Sequence, residues 1–218
     1  MGADDSTQGL TRKERERLAH RQEILAAAER VFARNGYRGA TVEQIAQEAE
    51  FAVGTLYNYF PKGKEELYEE VLAGLVEASL AAFRETVLSQ ADPVAAVEAL
   101  IDFRVRILDE HRGFARVVFQ TPLAEQGDAS LALPQRCLSR IQEAKAAFTQ
   151  VLARGIAAGV FVDIGAANLE LCLQGILNAF IARWLIHDTQ EPVAHRVAEL
   201  RTIVLRLVLA RRADGERP

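Results

Sequence analysis

Between Thr41 and Phe60 the run TVEQIAQEAEFAVGTLYNYF gathers hydroxyls, phenols, an amide and a glycine into a short stretch. Thr41, Thr55, Tyr57 and Tyr59 carry O–H donors suited to phosphate oxygens, and Lys62 and Lys64 follow with ammonium groups. Asn58 has the donor and acceptor pair that can bridge adenine, and Ala52 and Val53 are apolar groups of a size that meets a thymine methyl. Gly54 lets backbone come close to a phosphate. This is the chemistry of reading a DNA groove, and it needs a support that presents those groups together.

The same run supplies the support. Val42, Ile45, Ala46 and Ala49 recur at i, i+3, i+4 and i+7, behind a Thr41 placed to cap a helix. Val53, Leu56 and Phe60 repeat the spacing and pack inward, which turns Thr55, Tyr57, Asn58 and Tyr59 elsewhere. Two short helices joined by a tight turn make a helix-turn-helix. A first helix over Leu18, Ile24, Leu25, Ala28, Val31 and Phe32 precedes it and stops at Asn35-Gly36, residues suited to a left-handed cap.

The wider context RVFARNGYRGATVEQIAQEAEFAVGTLYNYFPKGKEELYEEVL resembles the N-terminal domain of TetR-family transcriptional regulators, over about Arg12 to Leu72. The resemblance is carried by Phe32, Gly36-Tyr37, Thr41, Ile45-Ala46, Gly54-Thr55-Leu56-Tyr57, Tyr59-Phe60, Lys64, Glu65 and Leu67. It implies an all-α protein, with a three-helix reader ahead of a larger helical domain that senses a ligand and dimerises. There are two departures from the family pattern. Glu50 stands where the turn usually has Gly, although the turn calls for a left-handed residue. One extra residue lies between Phe60 and Leu67, so Lys62 and Lys64 share the phosphate assignment.

Charge agrees with that division. The chain carries a net −4, yet Thr11 to Lys64 holds ten Lys/Arg against seven Asp/Glu, whereas Glu65 onward holds sixteen against twenty-one. A basic reader on an acidic body binds DNA without binding polyanions indiscriminately. Residues 1–11 read as a disordered tail, and TRKERER at 11–17 reads either as an arm for the minor groove or as the start of a solvated helix. The expected domains are 12–64 for the reader and 65–212 for the body, with a tail at 213–218.

In the body, Lys64 to about Ser89 reads as one long helix and the covalent lever between the two domains. Pro93 opens a helix to about His111, another runs from near Pro134 to about Ala158, and two apolar helices close the chain at Ala166–His187 and Pro192–Arg212. Those last two are too broad in apolar surface to face water on one side, which suggests a second chain. In the family such helices form a dimer by four-helix packing, and a twofold dimer suits a palindromic operator on double-stranded DNA.

Phe103, Phe114, Phe119, Phe148, Phe180 and Trp184 spread aromatic surface through the body, where a small-molecule effector would bind. Gln174 and Asn178 share a helical face and join Arg104 and Gln120 as polar candidates for that site; the alternative is hydrogen bonding to backbone or across the dimer. No phosphate-binding loop, nucleophile elbow or dinucleotide fingerprint occurs, so no enzyme is expected. Neither Cys137 nor Cys172 sits in a Cys-x-x-Cys pair and the four histidines are scattered, so no metal and no cofactor is expected; both thiols read as buried. There is no long uncharged apolar run and no signal peptide, which places the chain in the cytoplasm and off the membrane. The reading is a ligand-responsive, homodimeric DNA-binding repressor; its rival is a helical scaffold that has lost operator recognition.

Overall fold

The computed structural model describes residues 9–111, 135–187 and 194–210. Phe114, Phe119 and Gln120 lie outside the described residues. Helices α1 (Arg12–Gly39), α2 (Val42–Glu48), α3 (Val53–Tyr59), α4 (Lys64–Phe83), α5 (Pro93–Glu110), α6 (Gln135–Ala157), α7 (Ala166–His187) and α8 (Ala194–Val208) account for most of it. The protein is all-α. It divides into two compact units, and the division falls inside α4, between Gly74 and Leu75.

The N-terminal unit is organised by apolar stripes. Ile24, Ala27, Ala28, Val31 and Phe32 of α1 meet Val42, Ile45 and Ala46 of α2, Leu56 of α3 and Phe60, with Leu67 and Tyr68 of α4, all of them buried. Tyr68 sets its ring edge-on to Phe32 at 5.3 Å and tilted to Tyr37 at 4.8 Å. Leu18 departs from the expected stripe: it is 42% exposed, because it lies toward the start of α1, before the run that packs. The basic stretch after Thr11 is helical and not an extended arm. Thr11 and Glu14 form a reciprocal capping box, and Arg12 pairs with Glu16 at 2.8 Å one turn on. At the far end Gly36 takes φ 69°, as its place at the helix stop requires, and the chain continues to Gly39 beyond that kink.

The C-terminal unit is built on α5 to α8. Asp92 caps α5 through the N–H groups of Val94 and Ala95, with Pro93 in the first turn. Ahead of it, Arg84–Leu88 widens into a π-helical turn that ends the run from Lys64 close to Ser89. Phe83, Phe103 and Phe148 meet edge-on, with Phe83 at 5.4 and 6.1 Å from the other two. Trp184 is buried in a smaller cluster with Leu108 and Ile181.

The last helix ends at Val208, short of the expected Arg212. The chain turns extended there, and Val162 N–H donates to Val208 O while Ala210 N–H donates to Val160 O, both at 2.9 Å. That bridge seats Phe161 against Gly155 so closely that a Cβ on Gly155 would come within 2.3 Å of the Phe161 ring. Among the described residues no helix is long and apolar enough to cross a membrane.

Candidate functional site

The helix-turn-helix is fixed at both of its joints. Thr41 Oγ1 accepts the N–H of Gln44 at 3.2 Å, and Gln44 Oε1 accepts the N–H of Thr41 at 3.1 Å, so α2 begins in a capping box. The Thr41 hydroxyl also helps to hold the neighbouring Glu43 carboxyl below its usual range, after that residue's own backbone N–H. At the other end of α2, Phe51 N–H donates to Ala46 O at 3.0 Å and Glu50 N–H to Gln47 O at 3.2 Å, the two bonds of a Schellman closure. Glu50 takes the left-handed residue of that closure with φ 60°. The turn therefore keeps the form a glycine would give it, at the cost of backbone strain.

From that turn α3 emerges with Leu56 in the core and Phe60 capping its C-terminal end, also in the core. Ala52, Gly54, Tyr57 and Asn58 are exposed; Val53, Thr55 and Tyr59 are half-buried. A Cβ on Gly54 would meet nothing within 4 Å, so its backbone faces open space. Tyr57 leans on Gly63, which has φ 64° and where a Cβ would stand 3.1 Å from the Tyr57 ring. Tyr59 Oη lies 3.3 Å from His20 Nδ1, and Arg17 sits over the same ring at 5.9 Å. Arg17 closes the basic run at 11–17, but nothing in the sequence ties it or His20 to Tyr59. Their spacing on α1 falls outside the apolar stripe, and only the fold brings them to Tyr59.

The two lysines part company. Lys64 Nζ donates to Tyr37 O and Ala40 O, both at 3.1 Å, and lies 4.6 Å from the centre of the Tyr37 ring. Two of its donors are thereby used in closing α1. The Lys62 side chain is exposed, while its backbone N–H donates to Glu66 at 3.0 Å. Glu48, at the end of α2, accepts from both Arg30 Nε at 2.7 Å and Arg34 Nη2, which hold its carboxyl below the usual range.

In the C-terminal unit three of the polar candidates meet. Arg104 of α5 reaches α7, where its Nη2 donates to Gln174 Oε1 at 3.3 Å and to Asn178 Oδ1. Desolvation pulls the guanidinium pKa down, opposed by the Glu170 carboxylate. Phe103, Phe148 and Trp184 are buried in the hydrophobic clusters. Cys137 is buried as expected, whereas Cys172 is exposed: it shares an outward side of α7 with Leu171, Gly175 and Ala179. Among the described residues no cluster of His, Cys, Asp and Glu could hold a metal.

Residues 24–71, which include the whole helix-turn-helix, match the family model described as bacterial regulatory proteins, tetR family. The repressor KstR2 of Mycobacterium tuberculosis is 31% identical over 147 residues, covering 66% of this chain and 70% of that one. The chain belongs to the TetR family. As a TetR-family protein it is a DNA-binding transcriptional regulator of the repressor type. Solved structures agree in fold: the ketosteroid regulator KstR2 of M. tuberculosis superposes with TM-score 0.68 at 24% identity, over 88% of this chain and 95% of that one. FadR of Bacillus subtilis in complex with stearoyl-CoA gives 0.66 at 20%, over 84% and 97%.

Proposed function

We propose that the protein binds a palindromic operator as a cytoplasmic homodimer and is released from it by a small apolar or amphipathic effector. The observation that carries the DNA half is the exposed pair Tyr57 and Asn58 on α3, held behind a capped α2 and a left-handed Glu50. Tyr57, Tyr59, Thr41 and Lys62 are the phosphate anchors in this reading, because their donors meet a backbone without reading sequence. Ala52, Val53, Thr55 and Asn58 are the base readers. Residues 12–64 form the reader and 65–212 the sensing and dimerising body.

Exposed Leu171 on α7, with Ile203 and Leu207 on α8, supports a second copy as the partner of the terminal helices. The effector half draws on the aromatic body and on a structural relative that binds stearoyl-CoA. The test is a gel-shift with the DNA upstream of the chain's own coding sequence, run across a salt series. Specific binding that weakens steeply with salt is the expected result. Binding no tighter than to random duplex at every salt concentration would overturn the operator reading. Hydrophobic compounds that shift thermal melting are then titrated into the protein–operator complex. Release by at least one of them is expected, and a body whose tight binders all leave operator affinity unchanged is a dimerisation module.

A further inference from the structure

On α7, the most apolar of the long helices, Glu170, Gln174 and Asn178 recur at i, i+4 and i+8 and so form one polar seam along a single side. Two cations from different helices meet that seam. Lys145 of α6 pairs with Glu170 at 3.0 Å, and Glu170 is only 2% exposed. Arg104 of α5 meets the amide oxygens of Gln174 and Asn178.

The charges do not balance. Two cations share a single carboxylate, and that carboxylate is already in contact with Lys145. Among the described residues no carboxylate lies within ion-pair distance of Arg104, and its Nε is buried without an acceptor. Amide oxygens satisfy hydrogen bonds but supply no countercharge, and a half-buried guanidinium whose hydrogen-bond partners are neutral is costly to hold, a cost that the Glu170 carboxylate, beyond ion-pair distance, offsets only in part. The fork geometry of guanidinium, with its remaining donors, matches carboxylate and phosphate oxygens. Phe103, next to Arg104, and Phe148, one turn beyond Lys145, belong to the apolar core on the same helices.

We propose that Arg104 is the anion receptor of the effector site, so that the effector class is an amphipath with an apolar body and an anionic oxygen head, either a carboxylate or a phosphate. Gln174 and Asn178 hold the guanidinium when no ligand is bound and yield their places to the head group when it arrives. This rests on the effector reading above and narrows it to charged amphipaths.

The test uses the full-length dimer and a set of probes sharing one chain length: a fatty acid, its methyl ester, its primary alcohol and its coenzyme A thioester. Binding is read by thermal shift and by titration against the operator complex. The acid or the thioester should bind at least tenfold tighter than the ester and the alcohol, and which of the two wins separates a carboxylate head from a phosphate head. Arg104→Gln should erase that preference and leave the weak binding of ester and alcohol in place.

Gln174→Glu offers an independent arm, since it supplies an internal carboxylate beside Arg104. It should raise the melting temperature of the unliganded protein and weaken the anionic probes at least tenfold. Undiminished binding of the anionic probe in Gln174→Glu would overturn the proposal, as would equal binding of ester and acid by the natural protein. So would an Arg104→Gln protein that turns monomeric yet keeps its preference for acid, because the countercharge would then belong to the dimer partner. Should none of these probes bind while an uncharged compound from the wider screen binds and releases the operator, this inference fails and the effector reading stands; should no compound of either set release the operator, both fail.

Discussion

Lys62 and Lys64 stand two residues apart, and the fold bonds the Lys64 ammonium to backbone carbonyls while it leaves the Lys62 side chain exposed. Replacing Lys64 by Met keeps the aliphatic stem and removes the ammonium that joins the carbonyls of Tyr37 and Ala40. A hydrogen bond from a charged donor contributes about 1.5–3 kcal/mol when buried. Lys64 is half-buried, so the two bonds and the contact with Tyr37 together should amount to about 2–3 kcal/mol. For a chain of this size that loss lowers melting by about 5–10 °C. Lys62→Ala removes an exposed side chain and should change stability by less than about 0.5 kcal/mol. Binding to DNA should reverse the order. Each phosphate that the protein ceases to neutralise reduces the slope of log affinity against log salt by about 0.9, and Lys62→Ala should show that reduction on every operator variant. Calorimetry of each variant and a salt series by fluorescence anisotropy make the comparison. If Lys64→Met melts with the natural protein and flattens the salt slope, the ammonium leaves its carbonyls for a phosphate and the assignment of roles is reversed.

Three further changes probe other parts of the structure. Glu50→Gly relieves a left-handed non-glycine residue and should stabilise the protein by about 1 kcal/mol without weakening operator binding; a lower melting temperature would show that the Glu50 side chain holds the turn. Asn58→Ala should cost about 1–3 kcal/mol at one base position of the operator, and a uniform loss across a panel of point-substituted operators would move Asn58 to the phosphate anchors. Gly155→Ala must displace the Phe161 ring, and at 2.3 Å the clash should destabilise the C-terminal unit by about 1–3 kcal/mol in urea unfolding; an unchanged midpoint would mean that Phe161 swings away freely.

The helix-turn-helix was legible because its signals are local. A threonine placed to cap a helix, an apolar 3–4 spacing and a turn position that calls for a left-handed residue all act within one or two turns of backbone, and each appears where the sequence put it. The fate of Lys64 was not legible, because its acceptors are carbonyls 24 and 27 residues away, set by the kink at Gly36. His20 and Tyr59 meet across 39 residues for the same kind of reason. In the body, the four-residue spacing of Gln174 and Asn178 placed them on one face, and Arg104 was a neighbouring candidate. Their convergence, and the part played by Lys145 and Glu170, needed the packing of three helices. The early end of α8 follows from a backbone pairing with residues 160–162 that leaves no periodic trace.

Glu48 has a bearing on how the protein searches a genome. A repressor meets vastly more random duplex than operator, and its residence on that duplex is set by the cations it can offer to phosphates. By drawing Arg30 and Arg34 onto one carboxylate, Glu48 withdraws two of the ten positive charges that the N-terminal segment carries. With those two cations turned to a carboxylate, a lighter grip on random sequence and earlier dissociation are the expected outcome, and on the reading proposed above discrimination then rests with the groups on α3. Glu48→Gln would loosen both arginines and raise affinity for all DNA alike, giving a repressor that binds more tightly and finds its target more slowly.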